Sequence, residues 1–505
     1  MKRILLSMAL LAGTAVTAQN IYQLESFSNI DLNGTARYVG MGGAMNALGA
    51  DMSVMSSNPA GIGLYRKSDA SITLGVATQE DAQKFFSKSK SHVSFDQAGF
   101  VYALPMGDEG ATQFFNFGLN YRKSKDFNTL LNTGMSFEGL KGGMSQIWQM
   151  ADMSAYWGEP KKATPLANMG YETFLFEENN VYNASTNGYH KAQWGSLQNF
   201  DVSMGFNFND RWYLGLAVGL YNVDKQSYSS YTETLVGCNQ QGYYYGGDYE
   251  LTNRTKLSGT GVDFKAGLIV RPIEDNPFRI GFSFTTPTYY SLTSRISSSI
   301  SSRLTDVNDM NRVNSYGYNI DYDYNLYTPW RFNFSLGSTF FNQLAIGAEY
   351  EYADYSCAKI SYDNGYWDEW GSDADDDDAI KQEADKYLKG VSTFKIGAEW
   401  YVDPKLAIRL GYNYVSSPMG KNAFYNQYIN SASLDYATST AYMNPGAINR
   451  ITVGMGTNFG NFYADIAYMF QKQKADFYAF DNIDLPATSI KLNRSKVMIT
   501  LGYRF

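Results

Sequence analysis

Cysteine and histidine are nearly absent from this chain, with two of each in 505 residues. An acyl hydrolase needs a histidine placed beside its serine. His92 and His190 both fall in expected loops, and no G-x-S-x-G and no metal-ligand cluster occurs. The sequence therefore argues against an enzyme and implies no cofactor and no metal. Cys238 and Cys357 leave two readings open: a disulfide in an oxidising compartment, or two small unpaired buried residues. Charge is also sparse, at 18% of residues with a net of −8, which gives no reason to expect nucleic acid. After the first 18 residues no stretch reaches the ~18 consecutive apolar residues of a spanning helix. With a mean hydropathy of −0.34, this is not a helical membrane protein.

What is present is aromatic and glycine-rich: 41 Tyr, 31 Phe and 46 Gly. Residues 1–18 read as a secretory signal peptide. Lys2 and Arg3 begin it, Ile4 to Ala12 form its apolar core, and Val16 and Ala18 are small residues before a cut ahead of Gln19. Gly34 to Tyr65 is poor in charge and rich in Gly, Ala and Met, without alternation. Its glycines argue against one long helix. It reads as compact irregular backbone made to fit inside something, and residues 19–69 are expected to form an N-terminal plug, or hatch.

From residue 70 to 505 the pattern has period two. Fourteen segments alternate: 70–78, 97–104, 113–123, 198–208, 212–222, 259–271, 278–290, 330–340, 344–355, 392–401, 406–414, 448–457, 461–471 and 495–505. In the last, Val497, Ile499, Leu501, Tyr503 and Phe505 oppose Lys496, Met498, Thr500, Gly502 and Arg504. Apolar-out, polar-in strands of about 9–11 residues build transmembrane β-barrels. A sandwich also alternates, so the connections decide. They run alternately short (such as 209–211 and 402–405) and long (79–96, 124–197, 223–258, 291–329, 356–391, 415–447, 472–494). Short periplasmic turns with long outer loops are the mark of outer-membrane barrels. The expected fold is thus all-β: an antiparallel transmembrane β-barrel of about 14 strands holding the plug in its lumen. Its expected place is the outer membrane of a Gram-negative bacterium, as a monomer among lipid and lipopolysaccharide. The terminal Phe505 resembles the signal read by the barrel-assembly machinery.

Thirteen of these segments carry a glycine on the inward face: Gly75, Gly99, Gly118, Gly205, Gly215, Gly267, Gly281, Gly337, Gly347, Gly397, Gly411, Gly454 and Gly502. Strand glycine often marks close approach of other backbone, so this belt reads as clearance for the plug. The inward face also holds charges of both signs, among them Asp263, Lys265, Arg331, Glu349, Lys395, Glu399, Arg409 and Asp465. These read as a ladder tying wall to plug.

A secreted barrel of this size with an N-terminal plug resembles the FadL/TodX family. The sharpest local match is Asn58, Pro59 and Ala60, similar to the family's NPA plug motif just before the first strand. The resemblance implies outer-membrane transport of hydrophobic small molecules, long-chain fatty-acid-like or aromatic, gated by the plug. Two other readings attach to relatives: a FadL-like carrier barrel of a type IX-like secretion system, and a haemin-related receptor. In the long segment 124–197, Leu140, Met144, Ile147, Trp148 and Ala151 fit one face of a short helix. That stripe is either the loop's own core or an apolar surface where ligand first docks. The run Asp373 to Asp378 reads as solvated charge in an outer loop.

Overall fold

The computed structural model describes residues 20–505, apart from 107–110, 141–143, 157, 159–162, 178–179, 239–245, 306–310, 369–370, 421 and 483. The expected signal peptide lies outside the described residues, as do Tyr243 to Tyr245 and the side chain of Cys238. Cys357 is a free, exposed thiol, so the buried reading fails for it.

A closed sheet dominates the chain. Its first strands are β1 (Asp69–Gln79), β2 (Ser91–Pro105) and β3 (Thr112–Asp126). β4 (Asn180–Phe208), β5 (Trp212–Cys238) and β6 (Gly246–Val270) follow, with 29, 27 and 25 residues. β7 (Arg279–Thr285, then Tyr289–Thr305) and β8 (Asn311–Tyr327, then Arg331–Phe340) are each interrupted once. β9 (Leu344–Asp354), β10 (Gly390–Asp403) and β11 (Leu406–Val415) are continuous. β12 (Tyr442–Phe459), β13 (Phe462–Tyr478) and β14 (Arg494–Arg504) complete the series. β14 pairs antiparallel with β1 along its whole length, from Asp69↔Arg504 to Gln79↔Arg494. Fourteen strands therefore form an antiparallel β-barrel, and closure leaves its membrane wall no edge, as a sheet in lipid requires.

The period-two logic holds within the membrane band. Val497, Ile499, Leu501 and Tyr503 face outward at 37–57% exposure, while Met498 and Thr500 between them are fully buried. The same split runs through Ile408, Leu410 and Tyr412 on β11.

Several expected loops are corrected, including 356–391, where Lys359–Asp368 and Gly371–Asp376 are strand. Much of 124–197, 223–258 and 291–329 is strand, because β4 to β8 continue far past the band. Along the outer half of β7, Leu292, Ile296, Ile300 and Leu304 are buried inside, and Thr293, Arg295, Ser299 and Arg303 point out. Beyond the lipid the outer medium is aqueous, so the pattern inverts to apolar-in, polar-out. Alternation sought with its apolar face outward misses it. The interruptions in β7 and β8 fall at Pro287 and Pro329, residues that cannot donate to a ladder. At the neighbouring position β9 ends in a short 3₁₀ turn, Tyr355–Cys357.

Inside the barrel lie α1 (Ile21–Ser28), α2 (Ala36–Gly40) and two 3₁₀ turns, Met52–Ser56 and Pro59–Leu64. Above them the remaining helices, α3 (Gln146–Tyr156), α4 (Pro165–Glu172) and α5 (Asp378–Tyr387), belong to the outer connections.

An arginine on the lipid face tests this orientation. Ile499→Arg is expected to cost about 2–4 kcal/mol if the site lies near the bilayer midplane. Urea titration of the protein in lipid vesicles measures it. A cost near zero would place this face in water.

Candidate functional site

Each short plug element is closed by its own polar cap. Asn20, Thr35, Asp51 and Asn58 each accept hydrogen bonds from the backbone N–H groups one to three residues into the turn they open, the usual work of N-caps. Pro59 stands at the first position of its turn, and the Ala60 N–H donates to Asn58 Oδ1 at 3.2 Å. Thr35 Oγ1 donates to Asp51 Oδ2 at 2.7 Å, tying the start of α2 to the first 3₁₀ turn.

The plug backbone then travels around the wall one strand at a time. Gly40 lies against Gly454 of β12, Met41 and Gly42 against Gly411 of β11, and Met41 against Gly397 of β10. Ala44 meets Gly347 of β9, and Leu48 meets Gly337 of β8. Asn58 sits against Gly281 of β7 and Gly267 of β6, Pro59 and Ala60 against Gly215 of β5, and Ile62 and Gly63 against Gly205 of β4. Met55 and Met52 cover Gly118 and Gly99. A Cβ at Gly205 would stand 2.8 Å from the Gly63 nitrogen, and one at Gly337 3.2 Å from that of Leu48. Most of the belt read from the sequence therefore faces plug atoms. Two members do not: Gly75 faces Asp96, and Gly502 faces Tyr463 of the wall itself.

Ion pairs fix the plug's orientation. Arg37 of α2 grips Glu399 with two bonds, Nε to Oε1 at 3.0 Å and Nη2 to Oε2 at 2.7 Å. Arg409 donates to the same carboxylate at 2.7 Å and to Asp465 at 2.6 Å. Glu349 accepts from the Asn46 N–H at 2.6 Å and pairs with Lys395 at 3.2 Å. Arg279 donates to the Leu48 carbonyl at 2.7 Å. Lys496 joins Asp96 at 2.6 Å and Asn33 at 3.0 Å. Fork-to-carboxylate geometry of the Arg37 kind fixes orientation as well as energy.

Between α1 and the outer connections lies a cavity of about 420 Å³. Its lining mixes rings and aliphatics (Tyr22, Leu257, Ile296, Tyr322, Phe477) with Lys125, Lys191, Lys225 and Arg494. Lys125 Nζ donates to the Ser26 carbonyl at 2.6 Å, at the C-terminal end of α1. The lining is thus more polar than a purely apolar site. The helix dipole and these cations favour each other there.

The stripe in segment 124–197 does not offer a docking surface. Met144 and Ile147 are buried with Met150, Met153, Leu166 and Met169, and Leu140 packs against that cluster. Trp148 donates its ring N–H to Asn183 Oδ1 at 2.9 Å. The helix starts at Gln146, so Leu140 and Met144 precede it. These residues face their own core because α3 and α4 close over the inverted upper strands. The aspartate run is only partly solvated. Asp377 is buried as the N-cap of α5, and Asp376 pairs with Lys359 at 2.9 Å. Among the described residues no group of His, Cys, Asp and Glu is arranged to hold a metal ion. His92 bonds Asp126 at 2.6 Å, and His190 stacks on Phe85.

A model of the outer membrane protein transport family OMPP1/FadL/TodX matches residues 166–424, just over half of the chain. The protein belongs to this family. It is a transport channel of the bacterial outer membrane and not an enzyme. Among solved structures it is similar to a FadL homologue of Pseudomonas aeruginosa, with TM-score 0.53, 13% identity, and coverage of 94% of this chain and 99% of that one. The toluene transporter TbuX of Ralstonia pickettii gives 0.49 at 16% identity, again over 94% and 99%. The toluene transporter TodX of P. putida gives 0.48 at 13%, over the same shares. No curated protein sequence matches this one.

Two outcomes follow from the geometry. Gly411→Leu places a side chain where Met41 and Gly42 run, and overpacking of this kind costs about 1–3 kcal/mol. The plug is expected to loosen while the barrel still folds. Limited proteolysis within residues 34–57 reads the first, and the gel shift between boiled and unboiled protein reads the second.

The other concerns the aqueous side. Glu233, on the upper part of β5, accepts from the Gln146 N–H at 2.8 Å and from the Ser145 and Tyr231 hydroxyls, at the start of α3. Burial pushes its carboxyl up to about 7, against the lowering effect of those donors. A carboxyl raised on docking favours the docked state fully below its ordinary value of about 4.5, and that advantage is lost as pH rises through 7. Hydrogen exchange in α3 is therefore expected to quicken between pH 6 and 8 beyond the intrinsic rate, and Glu233→Gln to flatten the excess. An unchanged pH profile in the variant would remove Glu233 from this role.

Proposed function

We propose that the protein passes hydrophobic small molecules through the outer membrane, that the cavity above α1 binds them, and that residues 19–69 form the gate. The observation that carries this reading is the position of the cavity. It is bounded below by α1, the first element of the plug, and on its far side by Leu131, Tyr189 and Phe477, which belong to the apolar cluster that α3 and α4 complete. A molecule held there touches the gate itself.

The lining favours an amphipathic ligand over a bare hydrocarbon. Tyr22, Ile296, Tyr322 and Phe477 can cover an apolar chain or ring, at about 0.8 kcal/mol per buried methylene. Lys125, Lys191 and Lys225 offer ammonium groups to an anionic head; burial lowers Lys125 and brings Lys225 down to about 7, and a bound anion favours their charged forms. A carboxylate drawn to Lys125 competes with the Ser26 carbonyl for the same ammonium, so occupancy and the hold on α1 are linked. Two structural neighbours are toluene transporters by name, and long-chain acids fit this lining better than toluene does. The plug's circumferential path supports gating, because it fills the lumen at the level of the glycine belt.

Binding to a homologous series of fatty acids, followed by quenching of intrinsic fluorescence, tests the ligand class. Affinity is expected to rise with chain length and to fall for the matching alcohols. Planar-bilayer conductance tests the gate: nearly closed for the wild type, open to small ions after deletion of residues 34–57. A deletion that conducts no more than the wild type would refute the plug as gate, whatever the ligand.

A further inference from the structure

The loop between β1 and β2 does not point up toward the outer chamber. It folds sideways over the outside of the wall. Gln83 accepts from Asn132 at 2.8 Å as the loop crosses the strand Thr129–Ser136. Beyond it, Phe85 stacks on His190 with centroids 5.4 Å apart, and Phe86 stacks on Tyr228 at 4.1 Å and on Trp194 at 5.9 Å. Lys88 lies over the Trp194 ring at 4.3 Å. Tyr228 continues the outward row of Trp212, Leu214, Leu216, Val218 and Leu220 on β5, so this cluster is on the barrel's exterior. Phe86 remains 40% exposed there.

The strand register carries the cluster onward. Tyr228 pairs with Arg254 of β6, and Trp194 pairs with Gln226, which pairs with Lys256. Paired residues share a face, so Arg254 and Lys256 project outward beside the rings, and both are exposed. Lys84 and Lys90 of the loop are exposed as well. Among the described residues none of Lys84, Lys88, Lys90, Arg254 and Lys256 makes an ion pair. Neighbouring acids are engaged: Asp321 with Arg295 at 3.1 Å, Glu250 with Ser230 at 2.6 Å. A chain with net charge −8 thus presents a run of uncommitted cations on one outer ledge.

Its height decides what meets it. On β6 the last outward apolar residue is Val262, and Lys256 lies six residues beyond. At about 3.3 Å per residue and a tilt of about 40°, that is about 15 Å above the apolar band. No acyl chain reaches that level, and the headgroups of outer-leaflet lipid do.

We propose that this ledge docks the sugar–phosphate headgroup of an outer-leaflet glycolipid. Arginine and lysine take phosphate oxygens through charge-assisted bonds. The flat faces and edges of Phe86, Tyr228 and Trp194 suit the apolar side of a sugar ring. Phospholipid alone supplies phosphate only at the boundary of the apolar band, below Lys256. The ledge is separate from the cavity and independent of the transport reading.

The full chain in detergent micelles tests it, with phosphorylated lipopolysaccharide, the same glycolipid after dephosphorylation, and phosphatidylglycerol vesicles as three probes. Wild type is expected to bind the first best, with affinity falling as salt is added. The combined variant Lys84→Gln, Lys88→Gln, Arg254→Gln, Lys256→Gln should bind about tenfold or more weakly, through loss of charge-assisted contacts. Its heat-dependent gel shift checks that the barrel is intact. Should that variant misfold, Phe86→Ser with Lys256→Gln gives a smaller change in the same direction. Equal binding by wild type and folded variant, equal binding of the dephosphorylated glycolipid, or preference for the vesicles would each overturn the proposal.

Discussion

The plug and the barrel touch backbone to backbone, and most of the interior depends on that closeness. A side chain at Gly215, Gly397 or Gly411 would occupy the path of Pro59, Met41 or Gly42. With the wall stripped of Cβ atoms along this track, the plug can follow the strands in sequence from β12 to β4. Charged side chains then reach it from just above and below the track. Glu399 meets Arg37, Glu349 meets the Asn46 amide, and Arg279 meets the Leu48 carbonyl. The contact is close-packed yet rich in polar groups. Replacing a buried ion pair by apolar residues is often neutral, whereas breaking one strands a charge. Such a joint fixes position and geometry more than it adds stability.

A second constraint is the change of medium along a single strand. On β5, Leu214, Leu216, Val218 and Leu220 face lipid, and Tyr228, Ser230 and Thr232 on the same face lie beyond the apolar band. Opposite them the interior passes from Gly215 and Ala217 to Tyr231, Glu233 and Leu235. Lower down, the space inside is taken by plug backbone, so the wall is small. Higher up, α3 and α4 bring their own side chains, so the wall is large and apolar. The cavity lies at the exchange between these two kinds of filling.

Much of this was legible in the sequence, and the rest was hidden for physical reasons. Inside the band every strand declared itself through an apolar outward face, as Val497 to Tyr503 do. The upper halves of β7 and β8 were not, because Arg295-Ile296-Ser297-Ser298-Ser299-Ile300 alternates with the opposite polarity. The inward glycines could be read as a set, but their pairing with particular plug residues could not, since Gly40 to Gly63 has no periodicity of its own. Leu140, Met144, Ile147 and Trp148 showed an apolar face without showing what covers it. Nothing in residues 80–90 announced that the loop lies outside the wall. That depends on Trp194 and Tyr228, more than a hundred residues away in the chain.

The breaks at Pro287 and Pro329 divide two neighbouring strands at one level, and the turn at Tyr355–Cys357 beside them ends a third. Below it, strand length answers to the thickness of a bilayer. Above it, strand length answers to the volume of a chamber. A joint at that level lets the two requirements be met separately. The upper storey can lengthen, shorten or tilt without shifting the register that holds the lower storey in lipid.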